Sequence, residues 1–181
     1  AEDGIRDHCV TGVQTCALPI LEKIDEQIKR VAAEINKDYQ GKTPLFVAVL
    51  NGCFMFASDL FKELTIEAEI CFVKLASYQG TKSTGKVVTA IGLDATIRDR
   101  DIIVLEDIVD TGKTLFEFLP QIKDQNPSTL KVATLLYKPE ALQHPIKLDY
   151  VGFEVPNKFL LGYGLDYDGL GRNLKEIYQL V

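Results

Sequence analysis

The chain has 181 residues, 46% of them hydrophobic, and a formal net charge of −6 at pH 7. This length and apolar fraction suit one domain with a sizeable core, and an acidic balance without a basic cluster argues against a nucleic-acid partner. No apolar run is long enough to span a membrane, so no membrane partner is expected either. The four cysteines, Cys9, Cys16, Cys53 and Cys71, form neither a C-x-x-C pair nor a metal-finger spacing and read as reduced cytosolic thiols.

Residues 1–19, AEDGIRDHCVTGVQTCALP, show neither helical nor strand period. They resemble translated sequencing-adaptor read-through, so residues 1–20 are set apart as non-native or disordered and 21–181 are taken as the single domain. From Leu21 the pattern clears: Leu21, Ile24, Ile28, Val31, Ala32 and Ile35 recur at helical spacing with charges opposite, which predicts an amphipathic packing helix. Gly41 and Pro44 stop it, and Leu45 to Leu50 reads as a buried strand. Asn51-Gly52 could turn a hairpin, yet CFMFASDLFKEL behind it has helical period, so a strand–turn–helix unit fits better. A tight loop at a strand's carboxyl end is a ligand position in open α/β sheets.

Glu69 to Leu75 predicts a further strand, and Ser77 to Gly85 a polar loop leading into another strand, Lys86 to Ile91. The pair would form an antiparallel flap able to close over a site. Ile102 to Leu105 is a short, β-branched run that reads as a central strand buried on both faces. It ends in Glu106, Asp107 and Asp110, and Thr111-Gly112-Lys113-Thr114 opens a helix whose free N–H groups and dipole suit a phosphate. A P-loop would need glycine where Asp107 stands, so a nucleoside triphosphate cradle is rejected. Adjacent Glu106 and Asp107 suit ribose hydroxyls or hydrated Mg²⁺. The unit reads as a sugar-phosphate site.

The following helix, Leu115 to Gln125, contains Pro120 well past its first turn, so a kink or early end is expected. Leu130 to Tyr137 predicts the next buried strand, closed by Lys138-Pro139, and the last third holds short strands with glycine-rich turns around Phe159 to Arg172. Neither Gly162/Gly164 nor Gly169/Gly171 completes G-x-G-x-x-G, which removes a dinucleotide reading.

Glu106 to Thr114 resembles the signature of the type I phosphoribosyltransferases, and five segments in the family's order extend the likeness to their hypoxanthine-guanine members from about Leu21 to the end. The resemblance implies an α/β fold: an open, mostly parallel sheet flanked by helices, with a flexible flap and a small C-terminal hood mainly over 150–181. It implies Mg-dependent transfer of the phosphoribosyl group from phosphoribosyl pyrophosphate to hypoxanthine or guanine, giving IMP or GMP and pyrophosphate. Glu106 and Asp107 would bind the ribose hydroxyls and, with Asp166, Mg²⁺; the backbone of Asp110, Thr111, Gly112, Lys113 and Thr114 would wrap the 5′-phosphate, and Ile108 and Val109 would also bind substrate. Leu50-Asn51-Gly52 and Arg172 would contact pyrophosphate, and Ser77-Tyr78 would begin the mobile catalytic loop. Lys138 would bond the exocyclic oxygen of a 6-oxopurine, Phe159 stack on it, the Leu160 backbone read its edge, and Asp110 handle its ring proton. The likeness also implies a cytoplasmic homodimer or homotetramer. Two other readings remain: a regulator that keeps the fold to sense phosphoribosyl pyrophosphate or nucleotides and binds nucleic acid, and a xanthine- or pyrimidine-directed transferase.

Overall fold

The structure, a computed structural model, describes residues 7–10, 13–17, 21–78, 87–93 and 96–180. Its chain order is β1 (Asp7–Val10), β2 (Val13–Ala17), α1 (Leu21–Asp38), β3 (Leu45–Leu50), α2 (Phe54–Glu63), β4 (Glu69–Tyr78) and β5 (Val87–Ile91). Then come β6 (Asp101–Val109), α3 (Lys113–Lys123), β7 (Thr129–Tyr137), β8 (Tyr150–Glu154), β9 (Leu160–Leu161) and β10 (Tyr178–Leu180).

The main sheet has the order β5-β4-β3-β6-β7-β8, parallel from β4 to β8, with β5 antiparallel at one edge. As expected for a strand buried on both faces, β6 alternates between two cores: Ile103 and Leu105 join one, Ile102 and Val104 the other. The first core is closed by Ile24, Ile28, Val31 and Ile35 of α1 and by Phe56 and Leu60 of α2. The second is closed by Leu115, Phe118 and Ile122 of α3. From β3 the chain moves outward to β4 and later returns to β6 on the other side of β3. The gap outside the carboxyl ends of β3 and β6 is therefore a topological switch point, where two loops diverge and leave a crevice.

One expectation is corrected. Helix α3 runs through Pro120 to Lys123, and the Pro120 carbonyl still accepts the Asp124 N–H at 2.9 Å. The ring is exposed, as is Phe116, whose carbonyl would have taken the missing N–H, so the lost bond falls on the solvent side. At the start of the 150–181 segment, β8 pairs with β7 in the main sheet from Ala133↔Tyr150 to Tyr137↔Glu154. Within the segment set apart, β1 and β2 form a hairpin, and β2 pairs with β10 in a second sheet of order β1-β2-β10-β9. The β4/β5 pairing expected of a flap is present, from Lys74↔Ile91 to Tyr78↔Val87, while residues 79–86 of that flap lie outside the described residues.

Leu105 carries the site into the core, so Leu105→Ala is expected to lose about 2–5 kcal/mol of stability. Thermal melts should fall by roughly 2–4 °C for each kcal/mol lost in a chain of this size. A melting point within about a degree of wild type would contradict this packing.

Candidate active site

Where β6 reaches the switch point, apolar alternation gives way to acids, and Glu106 and Asp107 are both buried. Burial, then the neighbouring Asp107 charge, pushes the Glu106 carboxyl well above its ordinary value of 4.5. Burial also raises Asp107, against hydrogen bonds to its carboxylate and the positive charge of Arg172. The pair therefore favours holding a proton. Glu106 Oε2 is buried with no hydrogen-bond partner, an arrangement that costs stability and suits an incoming hard ligand.

Asp107 is covered by backbone. A methyl group on Gly52 would lie 1.5 Å from Asp107 Oδ2, and one on Gly164 would lie 2.0 Å from the Gly52 carbonyl oxygen. Only glycines permit this stack. The Leu50–Asn51 peptide, which leads into it, is cis. Arg172 closes the other side, donating from Nη1 to the Gly164 carbonyl at 2.7 Å and pairing through Nη2 with Asp166 Oδ1 at 2.5 Å. Asp166 Oδ2 also accepts the Gly169 N–H at 2.7 Å.

After Asp110 the chain turns through Gly112, at φ +77°, into α3; the N-cap Gly112 has no side chain to cap it, and Thr111 Oγ1 accepts the Lys113 N–H in a long 3.4 Å bond. The N–H groups of this first turn open onto a cavity lined by Glu106 and by Ile108 to Leu115. The turn is held from behind, since the Thr111 carbonyl accepts N–H bonds from Gln143 and His144, both at 3.0 Å. Lys138 is 6% exposed; its backbone N–H donates to the Val109 carbonyl at 2.9 Å and its Nζ to Asp110 Oδ2 at 2.7 Å. Phe159 is 48% exposed, with the Tyr167 ring edge-on at 5.7 Å, while Leu160 is buried in β9.

The switch point thus gathers Leu50-Asn51-Gly52, Glu106 to Thr114 and Arg172, whose charge acts on Asp107. Asp110 and Lys138, read from sequence as separate groups, form an ion pair with each other. Among the described residues no group of three acidic, histidine or cysteine side chains is gathered as a metal position. Asp166 is held by Arg172, whose guanidinium within hydrogen-bond reach satisfies its carboxylate directly. Ser77 and Tyr78 end β4 opposite Val88 and Val87. Two residues that sequence reasoning missed, Asp59 and Tyr163, are joined by a hydrogen bond behind the Gly52–Gly164 contact. Flanking glycines at Gly162 and Gly164 were the only signal for Tyr163, and Asp59 on its helix gave none.

The phosphoribosyl transferase domain matches residues 18–168, so the chain belongs to the phosphoribosyltransferase family. Its place there is among the bacterial hypoxanthine-guanine phosphoribosyltransferases. The enzyme of that name from Lactococcus lactis is 40% identical over 154 residues, covering 84% of each chain. Its counterpart from Streptococcus thermophilus is 42% identical over 154 residues, 84% of this chain and 86% of that one. The crystal structure of a Bacillus anthracis hypoxanthine-guanine phosphoribosyltransferase superposes with a TM-score of 0.84 at 36% identity, covering 91% of this chain and 98% of that one.

The acid pair has a stability signature. A carboxyl raised on folding contributes stability that is complete below its ordinary value, 4.5 for Glu106, and that is lost as pH rises through the raised one. In metal-free buffer, Glu106→Gln is therefore expected to gain stability over wild type as pH goes from about 5 to about 8. Urea midpoints of the two proteins compared at each pH isolate this group from the others. A difference that stays constant or shrinks with pH would contradict the raised value.

Proposed function

We propose that this protein catalyses transfer of the phosphoribosyl group from phosphoribosyl pyrophosphate to hypoxanthine or guanine, a cytoplasmic purine-salvage step yielding IMP or GMP and pyrophosphate. The observation that carries this reading is the convergence, at one switch point, of a buried acid pair, a helix N-terminus entered through Gly112 and the Asp110–Lys138 pair.

The N–H groups of Gly112 to Thr114 hold the 5′-phosphate, and the buried acids face the ribose hydroxyls. Arg172 and the Asn51-Gly52 backbone take the pyrophosphate. Phe159, already half exposed, supplies a face for the purine. Lys138 has three ammonium protons, so it can keep Asp110 and still donate to the exocyclic oxygen of a 6-oxopurine. As the purine nitrogen bonds to C1 of the ribose, the C1–oxygen bond to pyrophosphate breaks and its electron pair leaves with the pyrophosphate. The nitrogen's proton passes to the Asp110 carboxylate. Residues 77–85, as a flap, would keep water from the cationic sugar.

Mg²⁺ fits the donors present. Glu106 offers an unpartnered oxygen beside Asp107, and Mg²⁺ commonly binds one or two carboxylates while keeping water and substrate oxygens. Glu106 and Asp107, with Asp166 released from Arg172, would hold it, and when bound it supplies positive charge that neutralises pyrophosphate. Assembly as a homodimer or homotetramer belongs to the same reading; Phe54 and Phe72, each 41% exposed, offer apolar surface for it.

With Mg²⁺ and phosphoribosyl pyrophosphate, the purified protein is expected to convert hypoxanthine or guanine to the nucleotide, and an absence of turnover with both bases refutes the assignment. Xanthine in the same panel ranks the third base. Asp110→Asn should bind IMP yet lose on the order of a hundred- to ten-thousand-fold in kcat. An unchanged kcat would remove Asp110 from proton transfer.

A further inference from the structure

Tyr163 sits at φ +49°, a left-handed conformation that a bulky aromatic rarely adopts. Its neighbours Gly162 and Gly164, at φ +94° and +98°, are also left-handed, and a methyl on Gly162 would lie 2.0 Å from the Glu176 carbonyl oxygen. Surroundings must over-determine such a backbone for it to persist. They do: the Tyr163 ring is 6% exposed in the core beneath α1 and α2, its N–H donates to the Leu174 carbonyl at 2.8 Å, and its hydroxyl donates to Asp59 Oδ2 at 2.5 Å.

Asp59 lies on α2, and α2 begins directly after the Gly52 loop. Tyr163 directly precedes Gly164, which packs on the Gly52 carbonyl and gives its own carbonyl to Arg172. The contacts close a ring: Gly52, helix α2, Asp59, Tyr163, Gly164 and back to Gly52. A closed ring fixes the spacing of its members in a way that an open chain of contacts does not.

We propose that Asp59 and Tyr163 are positioning residues for the pyrophosphate subsite, their hydrogen bond setting the distance between the Asn51-Gly52 loop and Arg172. Neither residue touches substrate. The inference rests on the transferase reading for the identity of the ligand. It assigns the pair to pyrophosphate alone, because neither the phosphate turn at Gly112 nor Lys138 is a member of the ring.

The test compares Tyr163→Phe, Asp59→Ala and the double variant with wild type, measuring kcat, KM for each substrate, and affinities for Mg-pyrophosphate and for IMP by calorimetry. Each single variant is expected to weaken pyrophosphate and raise KM for phosphoribosyl pyrophosphate by about fivefold to tenfold, with IMP affinity and KM for hypoxanthine within about twofold. The double variant should be no worse than either single, since both remove one bond. Asp59→Asn keeps an acceptor and should restore pyrophosphate affinity. Lys62→Ala, which removes only the exposed 2.7 Å pair between Lys62 and Asp59, should leave it unchanged. Unaltered pyrophosphate affinity in Tyr163→Phe, a parallel loss of IMP affinity, or additive losses in the double variant would each overturn the proposal. Should Tyr163→Phe not fold, the partly exposed Asp59→Ala decides alone. Wild type that binds pyrophosphate but turns over no base defeats the transferase reading and leaves this one standing; wild type that does not bind pyrophosphate defeats this one.

Discussion

The closeness of Gly52 to the Asp107 carboxylate is the constraint on which the site depends. No side chain fits there, since a methyl would stand 1.5 Å from Oδ2. The contact joins the end of β3 to the end of β6 across the switch point, the one place where the parallel sheet leaves a crevice between neighbouring strands. Backbone laid directly over a carboxylate excludes water from it, which explains both the burial of Glu106 and Asp107 and their hold on a proton. Gly164, stacked on Gly52 from the far side, extends the same close approach into the C-terminal segment and brings Arg172 within electrostatic reach of Asp107.

The charges around this contact are arranged in pairs that substrates would re-partner. Lys138 holds Asp110, and Arg172 holds Asp166. Each couples a cation assigned to an anionic or carbonyl group of a substrate with an acid assigned to a proton or a cation. Lys138 is deeply buried, so without Asp110 its ammonium would stand desolvated and unpaired. Arg172 and Asp166 are each about one-third exposed or less, and a pair so placed exchanges partners at modest cost. The Glu106 carboxyl differs: among the described residues it makes no ion pair and has one orphan oxygen, so it gains from a hard ligand.

Much of this was legible in the sequence because it rests on periodicity and local turn chemistry. Ile24, Ile28, Val31 and Ile35 fall on the buried face of α1, and the β-branched run of β6 lies between two cores. The strand-to-helix turn was readable because a β-branched run gives way to Thr111-Gly112-Lys113-Thr114, and the structure opens α3 there. What stayed hidden depends on partners distant in sequence. Nothing local to Lys138 or Asp110 announces their bond, and Asp59 reads as an ordinary surface acid until Tyr163 arrives from the far end of the chain. Pro120 misled because helix rules count the lost N–H without asking which side of the helix loses it. The β1/β2 hairpin escaped because pairing to the edge of β10 uses backbone groups, which any non-proline sequence supplies.

Distance from the core separates the parts of this molecule that must be rigid from those that must respond. The strands beneath the site are parallel and buried on both faces, so β3 and β6 end at fixed positions. Beyond those ends, precision has to come from close contacts rather than from a hydrogen-bonded ladder. Gly52 against Asp107, the Thr111 carbonyl under the 143–144 backbone, and Tyr163 against Asp59 are three such contacts, the last two made by backbone or by side chains outside the proposed chemistry. The acids and cations they support are thereby free to change partners while their positions stay set, which is what electrostatic stabilisation of a short-lived, positively charged sugar requires.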